Sequence, residues 1–98
     1  MARLNPVHPG EILTEEFLSP MGITKHRLAM DLGIPASRID QIAKGKRSIT
    51  ADTASRLSLY FKTSPEFWMN LQSTYALSKA RQAVGDQVKK IRPHHKAA

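Results

Sequence analysis

The sequence predicts an all-α domain of five short helices, and three observations support this fold class. Apolar residues recur at spacings of three and four along most of the chain, as on the buried face of a helix. No segment shows sustained alternation of apolar and polar residues, so we expect no sheet. Glycine and proline interrupt the apolar pattern at short intervals, which predicts tight turns between helices.

The first two predicted helices lie before Gly33. The first begins at Pro9, since proline suits a first helical turn, and Glu11 favours the positive end of the helix dipole. The second is capped by Thr24 and ends at Gly33, where we expect a left-handed backbone conformation. The inward-facing residues are Ile12, Leu13 and Phe17 in the first helix, and Leu28, Ala29 and Leu32 in the second.

Three further helices complete the predicted domain. The third runs from Pro35 to Gly45, the fourth follows an N-cap at Thr50, and the fifth runs from Pro65 to about Ala83. Their inward-facing residues include Ile39, Ile42, Ala54, Leu57 and Phe61, with Ile34 just before the third helix. About three residues separate the second and third helices, which is the spacing of a helix-turn-helix.

The length of 98 residues is that of one domain. We expect an N-terminal arm over residues 1–8, the helical domain over 9–83, and a basic flexible tail over 84–98. The absence of cysteine excludes disulfides, thiolate zinc sites and cysteine nucleophiles. No apolar run is long enough for a membrane span or a signal peptide, so we expect a cytoplasmic protein with no membrane partner.

The positive charge of the chain is concentrated in two segments. The formal net charge is +7, and residues 24–47 hold six lysines and arginines against two acidic residues. Residues 79–98 hold six more against one acidic residue. Because the first concentration coincides with the helix-turn-helix, it indicates a polyanionic partner such as DNA. The second concentration, over residues 79–98, indicates either non-specific affinity for DNA or no specific partner.

The third helix has the pattern of a recognition helix for the major groove. Ile39 and Ile42 anchor it on the core, which leaves its outer side free to contact bases. The predicted base-reading residues are Ala36, Ser37, Arg38 and Gln41. The predicted phosphate-binding residues are Thr24, Lys25, Lys44, Lys46 and Arg47. The alternative is that these polar side chains form an ordinary solvated surface.

Two longer motifs resemble a known family. The segment "GIPASRIDQIAKGKRSIT" is similar to helix-turn-helix domains of the lambda-repressor-like, xenobiotic-response-element type. "HPGEILTEEFLSPMGIT", followed by "GKRSITADTASRLSLYFKTSPEFWMNLQ", resembles the HigA antitoxins of bacterial toxin–antitoxin modules. The resemblance runs from about His8 to Tyr75. It implies a dimeric DNA-binding protein that represses its own operon and a partner toxin, usually a RelE-like mRNA-cleaving ribonuclease.

The resemblance places the recognition positions on the same four residues of the third helix. Ala36 departs from the family pattern, in which many members carry a polar side chain at this position. The base-reading role therefore rests more on Ser37 and Arg38. Two alternatives remain: a stand-alone repressor without a toxin, and a protein-interaction module that neutralises a toxin while its own DNA contact contributes little.

The fifth helix carries more apolar surface than one small core needs, which predicts a two-fold dimer. The predicted interface residues are Trp68, Met69, Leu71, Tyr75, Ala76 and Ala80. The alternative is that Trp68 and its neighbours complete the core of a single chain. A dimer of this kind would place two recognition helices about 34 Å apart on a palindromic operator.

The remaining titratable residues form no catalytic or metal-binding pattern, and we expect neither an enzyme nor a cofactor. His94 and His95 are adjacent in the predicted tail and have no third ligand nearby in sequence. Glu11 and Glu15 share a helical face, but no histidine or glycine-rich loop accompanies them. We interpret this face as a solvated acidic surface.

Overall fold

The computed structural model describes residues 6–94, and within this range the chain forms five helices and no strand. Residues 1–5 of the predicted arm and 95–98 of the predicted tail lie outside the described residues. The helices are α1, built from Pro9–Ile12, Leu13–Leu18 and Ser19–Met21, then α2 (Lys25–Leu32), α3 (Ala36–Ala43), α4 (Ala51–Phe61) and α5 (Pro65–Val84). A 3₁₀ helix over Gly85–Lys90 follows. The predicted all-α, five-helix fold is confirmed.

The helix α1 changes its hydrogen-bonding pattern in the middle. Its central segment, Leu13–Leu18, is a π-helix, and the N–H of Ser19 donates to the carbonyl of Thr14. Pro20 follows directly and has no N–H to donate to the carbonyl one turn earlier. A π-helical turn is one of the known ways in which a helix accommodates such a break. The sequence pattern predicts the helix but not this local widening.

The helix starts follow the predicted capping chemistry, with one correction. The side-chain oxygens of Thr24, Thr50 and Ser64 accept hydrogen bonds from backbone N–H groups in the first turns of α2, α4 and α5. Pro35 is the N-cap residue of α3, with extended backbone angles, and is not its first helical residue. The N-cap of α1 is His8, whose Nδ1 accepts from the N–H of Gly10 at 2.9 Å.

The core is a contiguous cluster drawn from all five helices. Leu13, Leu28, Ile39, Ile42 and Leu57 have no exposed surface, as the helical periodicity predicts. The cluster also includes Leu18, Ala29, Leu32, Ile49, Ala54 and Trp68. Each leucine or isoleucine that becomes fully buried contributes about 2 kcal/mol, so these side chains dominate the stability of the fold.

The indole of Trp68 is completely buried within one chain. It packs beside Phe17, with ring centroids 5.0 Å apart, and its Nε1–H donates to Thr63 at 2.8 Å. Phe67 and Phe61 complete this aromatic group. The prediction that Trp68 contributes to a dimer interface is therefore wrong, because the core of its own chain already encloses the whole side chain.

The residues after α5 are only partly as expected. Residues 81–94 are all exposed, in agreement with a solvated C-terminal region. However, the tail begins with the regular 3₁₀ turn over Gly85–Lys90, in which Lys89 pairs with Asp86 at 3.2 Å.

Candidate nucleic-acid interface

The outer face of α3 is the candidate recognition surface. Ile39 and Ile42 are fully buried beneath it, while Ser37 is exposed and the side chains of Arg38 and Gln41 are half-buried. Ser37 and Gln41 are four residues apart, so they lie on the same side of the helix. Ala36 is exposed at the start of the helix. The four predicted base-reading residues therefore all reach the surface.

A close backbone contact holds α3 against the first helix. A Cβ atom on Gly10 would lie 1.8 Å from the carbonyl oxygen of Ile42 and 3.0 Å from the Cα of Ala43. The start of α1 can approach the end of α3 this closely because residue 10 has no side chain. The sequence pattern does not mark Gly10 for this role, although Gly10 lies in the "HPGE" segment that carries the family resemblance.

The angle between α2 and α3 is fixed by a left-handed glycine and an arginine from α4. Gly33 has φ +72°, and the N–H of Ile34 donates to the carbonyl of Ala29 at 3.1 Å. Arg56 donates from Nη1 to the carbonyl of Leu32 at 2.7 Å. It therefore satisfies one of the carbonyls that the end of a helix leaves unpaired. Sequence reasoning missed Arg56, since its partner is 24 residues away.

An acidic residue joins two of the predicted phosphate-binding lysines. Asp40 on α3 accepts from Lys25 at the start of α2 and from Lys44 at the end of α3, both at 2.9 Å. These two hydrogen bonds lower the pKa of Asp40 to about 2. The bridge is therefore intact at neutral pH and would be lost only as the pH falls towards 2. Lys25 and Lys44 are held at one surface.

The end of α3 reverses direction at Gly45 and brings Arg47 back to the recognition face. Gly45 has φ +76°, its N–H donates to the carbonyl of Ile42, and the N–H of Lys46 donates to the carbonyl of Gln41. This pair of bonds is the Schellman arrangement. It places Arg47 where its Nε donates to the Oε1 of Gln41 at 2.9 Å.

The loop after this turn is anchored by a buried glutamine on α5. The Oε1 of Gln72 accepts from the N–H of Ile49 at 2.8 Å, and its Nε2 donates to Ser48 at 3.3 Å. Gln72 is 9 % exposed. No local sequence signal marks this residue, because its partners are 23 and 24 residues distant.

His8 links the same loop to the N-terminal end of α1. Its ring meets that of Tyr75 on α5 edge-on, with centroids 4.7 Å apart, and it is hydrogen-bonded to the backbone of Arg47. Burial disfavours the charged imidazolium and lowers the pKa of His8, while the bond to Arg47 opposes this effect. The end of the predicted arm is thus packed against the domain.

One side of α5 remains exposed outside the core. Met69, Ala76 and Ala80 are exposed there, and Leu77 is 53 % exposed. Leu71 and Tyr75 are half-buried and line a groove of about 590 Å³ between α5 and the N-terminal segment. Five of the six predicted dimer residues therefore reach the surface.

Residues 6–94 offer neither a metal site nor a membrane span. In this range no three histidine or acidic side chains are grouped closely enough to hold a metal ion. No described helix is long and apolar enough to cross a bilayer.

Comparisons of this chain with family models, with known proteins and with solved structures all find helix-turn-helix proteins. A helix-turn-helix family model matches residues 16–68. Virulence-associated protein I of Dichelobacter nodosus is 50 % identical over 76 residues, which are 78 % of this chain and 70 % of that protein. Antitoxin HigA-1 of Vibrio cholerae is 35 % identical over 90 % of this chain and 83 % of its own length. The Pseudomonas aeruginosa antitoxin HigA, solved with the higBA promoter, has a TM-score of 0.88 and 47 % identity, covering 91 % of this chain and 98 % of that one.

Proposed function

The chain belongs to the helix-turn-helix family that includes the HigA antitoxins, and on this basis we propose that it is an antitoxin and transcriptional autorepressor. It binds operator DNA through α3 and neutralises a partner toxin. The toxin is a RelE-like mRNA-cleaving ribonuclease, an assignment that rests on the family resemblance. We also propose a cytoplasmic location, which both proposed partners support.

The observation that carries the DNA-binding proposal is the construction of α3. Its inner face is sealed by Ile39 and Ile42, and its outer face offers Ser37, Arg38 and Gln41 to a groove. Hydroxyl, guanidinium and amide groups are those that read base edges. Flanking cations contact the phosphates on either side and set the register of the helix on the duplex. These cations are Lys25, Lys44, Lys46 and Arg47, with Thr24 at the start of α2.

We further propose a two-fold homodimer through α5. Met69, Ala76 and Ala80 follow one another at spacings of seven and four, and all are exposed, so they form a stripe with small residues at its C-terminal end. Small residues allow a second helix to come close. Leu71 and Tyr75 lie beside this stripe in the groove. A dimer presents two copies of α3 to successive major grooves of a palindromic operator.

The DNA-binding proposal is tested with the double variant Arg38→Ala/Gln41→Ala. Each base contact contributes about 1–3 kcal/mol of discrimination, so operator affinity should fall by roughly a hundredfold or more at constant salt. Fluorescence anisotropy with the DNA upstream of the gene measures this change. Lys79→Ala, which removes a cation from α5, is the control and should bind like the unchanged chain. Equal affinity of the double variant and the control would contradict the proposal.

The toxin proposal is tested by purifying the tagged chain from its native host and identifying the co-purifying proteins by mass spectrometry. We expect a small ribonuclease in a constant ratio to the chain. The Arg38→Ala/Gln41→Ala variant should still neutralise this protein, because its changes lie on the DNA surface. If the chain binds its operator but no second protein accompanies it, the stand-alone repressor is the better description.

A further inference from the structure

The hydrogen bond between Gln41 and Arg47 determines which end of the Gln41 amide faces the arginine. Arginine has only donors, so the atom that meets its Nε at 2.9 Å must be the amide oxygen. The amide NH₂ group is then the end that remains free. Both side chains are on the surface, with Arg47 exposed and Gln41 half-buried.

This pairing is built into the backbone. Gly45 and Lys46 close the end of α3 with hydrogen bonds of 3.0 and 2.8 Å to the carbonyls of residues 42 and 41. The ring of His8 lies 3.7 Å from a Cβ placed on Gly45, and it is bonded to the backbone of Arg47. Gln72 holds the loop two residues later. Residue 47 is therefore held near residue 41 before any DNA is bound.

A glutamine with both amide ends free suits adenine, because the adenine edge in the major groove offers one acceptor and one donor. The Nε–H of Arg47 occupies one of the two lone pairs of the Gln41 oxygen, and the amide NH₂ keeps both of its donors. The outer guanidinium nitrogens of Arg47 can only donate, so the pair together offers more free donors than free acceptors. The guanine edge offers two acceptors, N7 and O6, and is the base edge that best matches a pair of donors.

Resting on the operator binding proposed above, we propose that Gln41 and Arg47 form one reading unit, in which donors predominate, that selects guanine at one position of each operator half-site. Arg47 is then a specificity-determining residue as well as a cation near the phosphates. The sequence pattern alone predicts Gln41 as an independent base reader and Arg47 as a phosphate contact.

The test is selection of binding sites from a randomised duplex library, using the full chain at fixed salt. The variants are Arg47→Ala, Gln41→Ala and, as the matched control, Lys46→Ala, which removes a cation from the adjacent position. In Arg47→Ala the amide oxygen of Gln41 is released, so preference at one position should change from guanine towards adenine by about tenfold or more. Lys46→Ala should lower affinity for all sequences alike and flatten the salt dependence.

A second comparison separates pairing from an indirect effect of Arg47. In the Gln41→Ala background, adding Arg47→Ala should produce no preference for adenine, because the amide that would read it is absent. Thermal melting of each variant establishes that it is folded, and Arg47→Gln provides a second substitution that removes the guanidinium.

Three results would overturn the proposal. Uniform weakening by Arg47→Ala, as with Lys46→Ala, would make Arg47 a phosphate contact only. A preference for adenine in the unchanged chain would mean that Gln41 reads bases without its partner. If the unchanged chain selected no sequence at all, the proposed operator binding would fail, and the guanine-reading unit would fail with it.

Discussion

At the scale of single residues, Gly10 determines how closely α1 and α3 can approach. We predict that Gly10→Ala destabilises the fold by about 3 kcal/mol, since the new Cβ would overlap the backbone of Ile42 and Ala43, which cannot move aside as a side chain does. This cost exceeds the gain of about 0.5–1 kcal/mol that alanine brings to a helix. Urea denaturation measures the change in the free energy of unfolding.

Gly22→Ala is the control for this prediction. Gly22 has φ +65°, and nothing lies within 4 Å of a Cβ placed there. Its substitution carries only the cost of a left-handed backbone, roughly 1 kcal/mol. If Gly10→Ala destabilised the protein no more than Gly22→Ala, the close approach of the two helices would not be as the structure describes.

The two glycines also show what a single residue in a sequence can reveal. Gly22 is predictable as a helix stop, because left-handed backbone at a helix end is a local property. Gly10 is inside a helix and has no local reason to be glycine. Its role depends on residue 42, far along the chain, which only the packed structure brings near.

At the scale of the helix, the inner face of α3 follows directly from the sequence, although its ends do not: the helix spans Ala36–Ala43 and not Pro35 to Gly45. The periodic positions of Ile39 and Ile42 are sufficient to identify its inner face, and the polar residues then have to face outward. The sequence does not reveal that Asp40, on the outward side, bridges Lys25 and Lys44. This ion pair depends on the angle between α2 and α3.

We predict that Asp40→Asn raises affinity for DNA about threefold to tenfold for operator and unrelated duplexes alike. The carboxylate repels phosphates, and its removal also releases two lysines to bind them. Titrations at several salt concentrations should show a steeper decline of affinity with salt.

Asp86→Asn is the charge-matched control for this prediction. Asp86 pairs with Lys89 in the exposed C-terminal segment, so its loss changes the net charge equally but away from α3. Equal gains in affinity from the two variants would mean that total charge, and not the bridge at α3, is responsible.

At the scale of the whole molecule, the chain has one helix that is longer than its own core requires. The first half of α5 is anchored by Trp68 and Gln72, whereas residues 81–84 at its end are all exposed. We predict that Ala80→Glu converts the proposed dimer to a monomer in analytical ultracentrifugation, because it would place a charge where the two α5 helices of that dimer come close. Operator affinity should fall with it, since a monomer contacts one half-site.

Lys79→Ala controls for the change in charge, which is one unit in both variants. Residue 79 is exposed on the same helix but points about 100° away from residue 80. Lys79→Ala should therefore still sediment at the mass of a dimer. An unchanged chain that sediments at the mass of one protomer at micromolar concentration would contradict the dimer itself.

The sequence by itself determined the order of the five helices, most of their caps and most of the core. These features depend on helical periodicity and on turn residues, which act over a few neighbouring positions. It also identified α3 as the candidate recognition helix, because an apolar inner face and a cluster of cations coincide there.

Only the tertiary structure decided which contacts join distant segments. It placed Trp68 in the core and not at an interface. It also brought the backbone of α3 into close contact with Gly10 of α1, and Arg56 into hydrogen-bonding contact with the end of α2. The physical reason is that burial and hydrogen bonding between remote residues depend on how the helices pack. A periodic pattern shows that a helix has an apolar face, but it does not show which neighbour will cover that face.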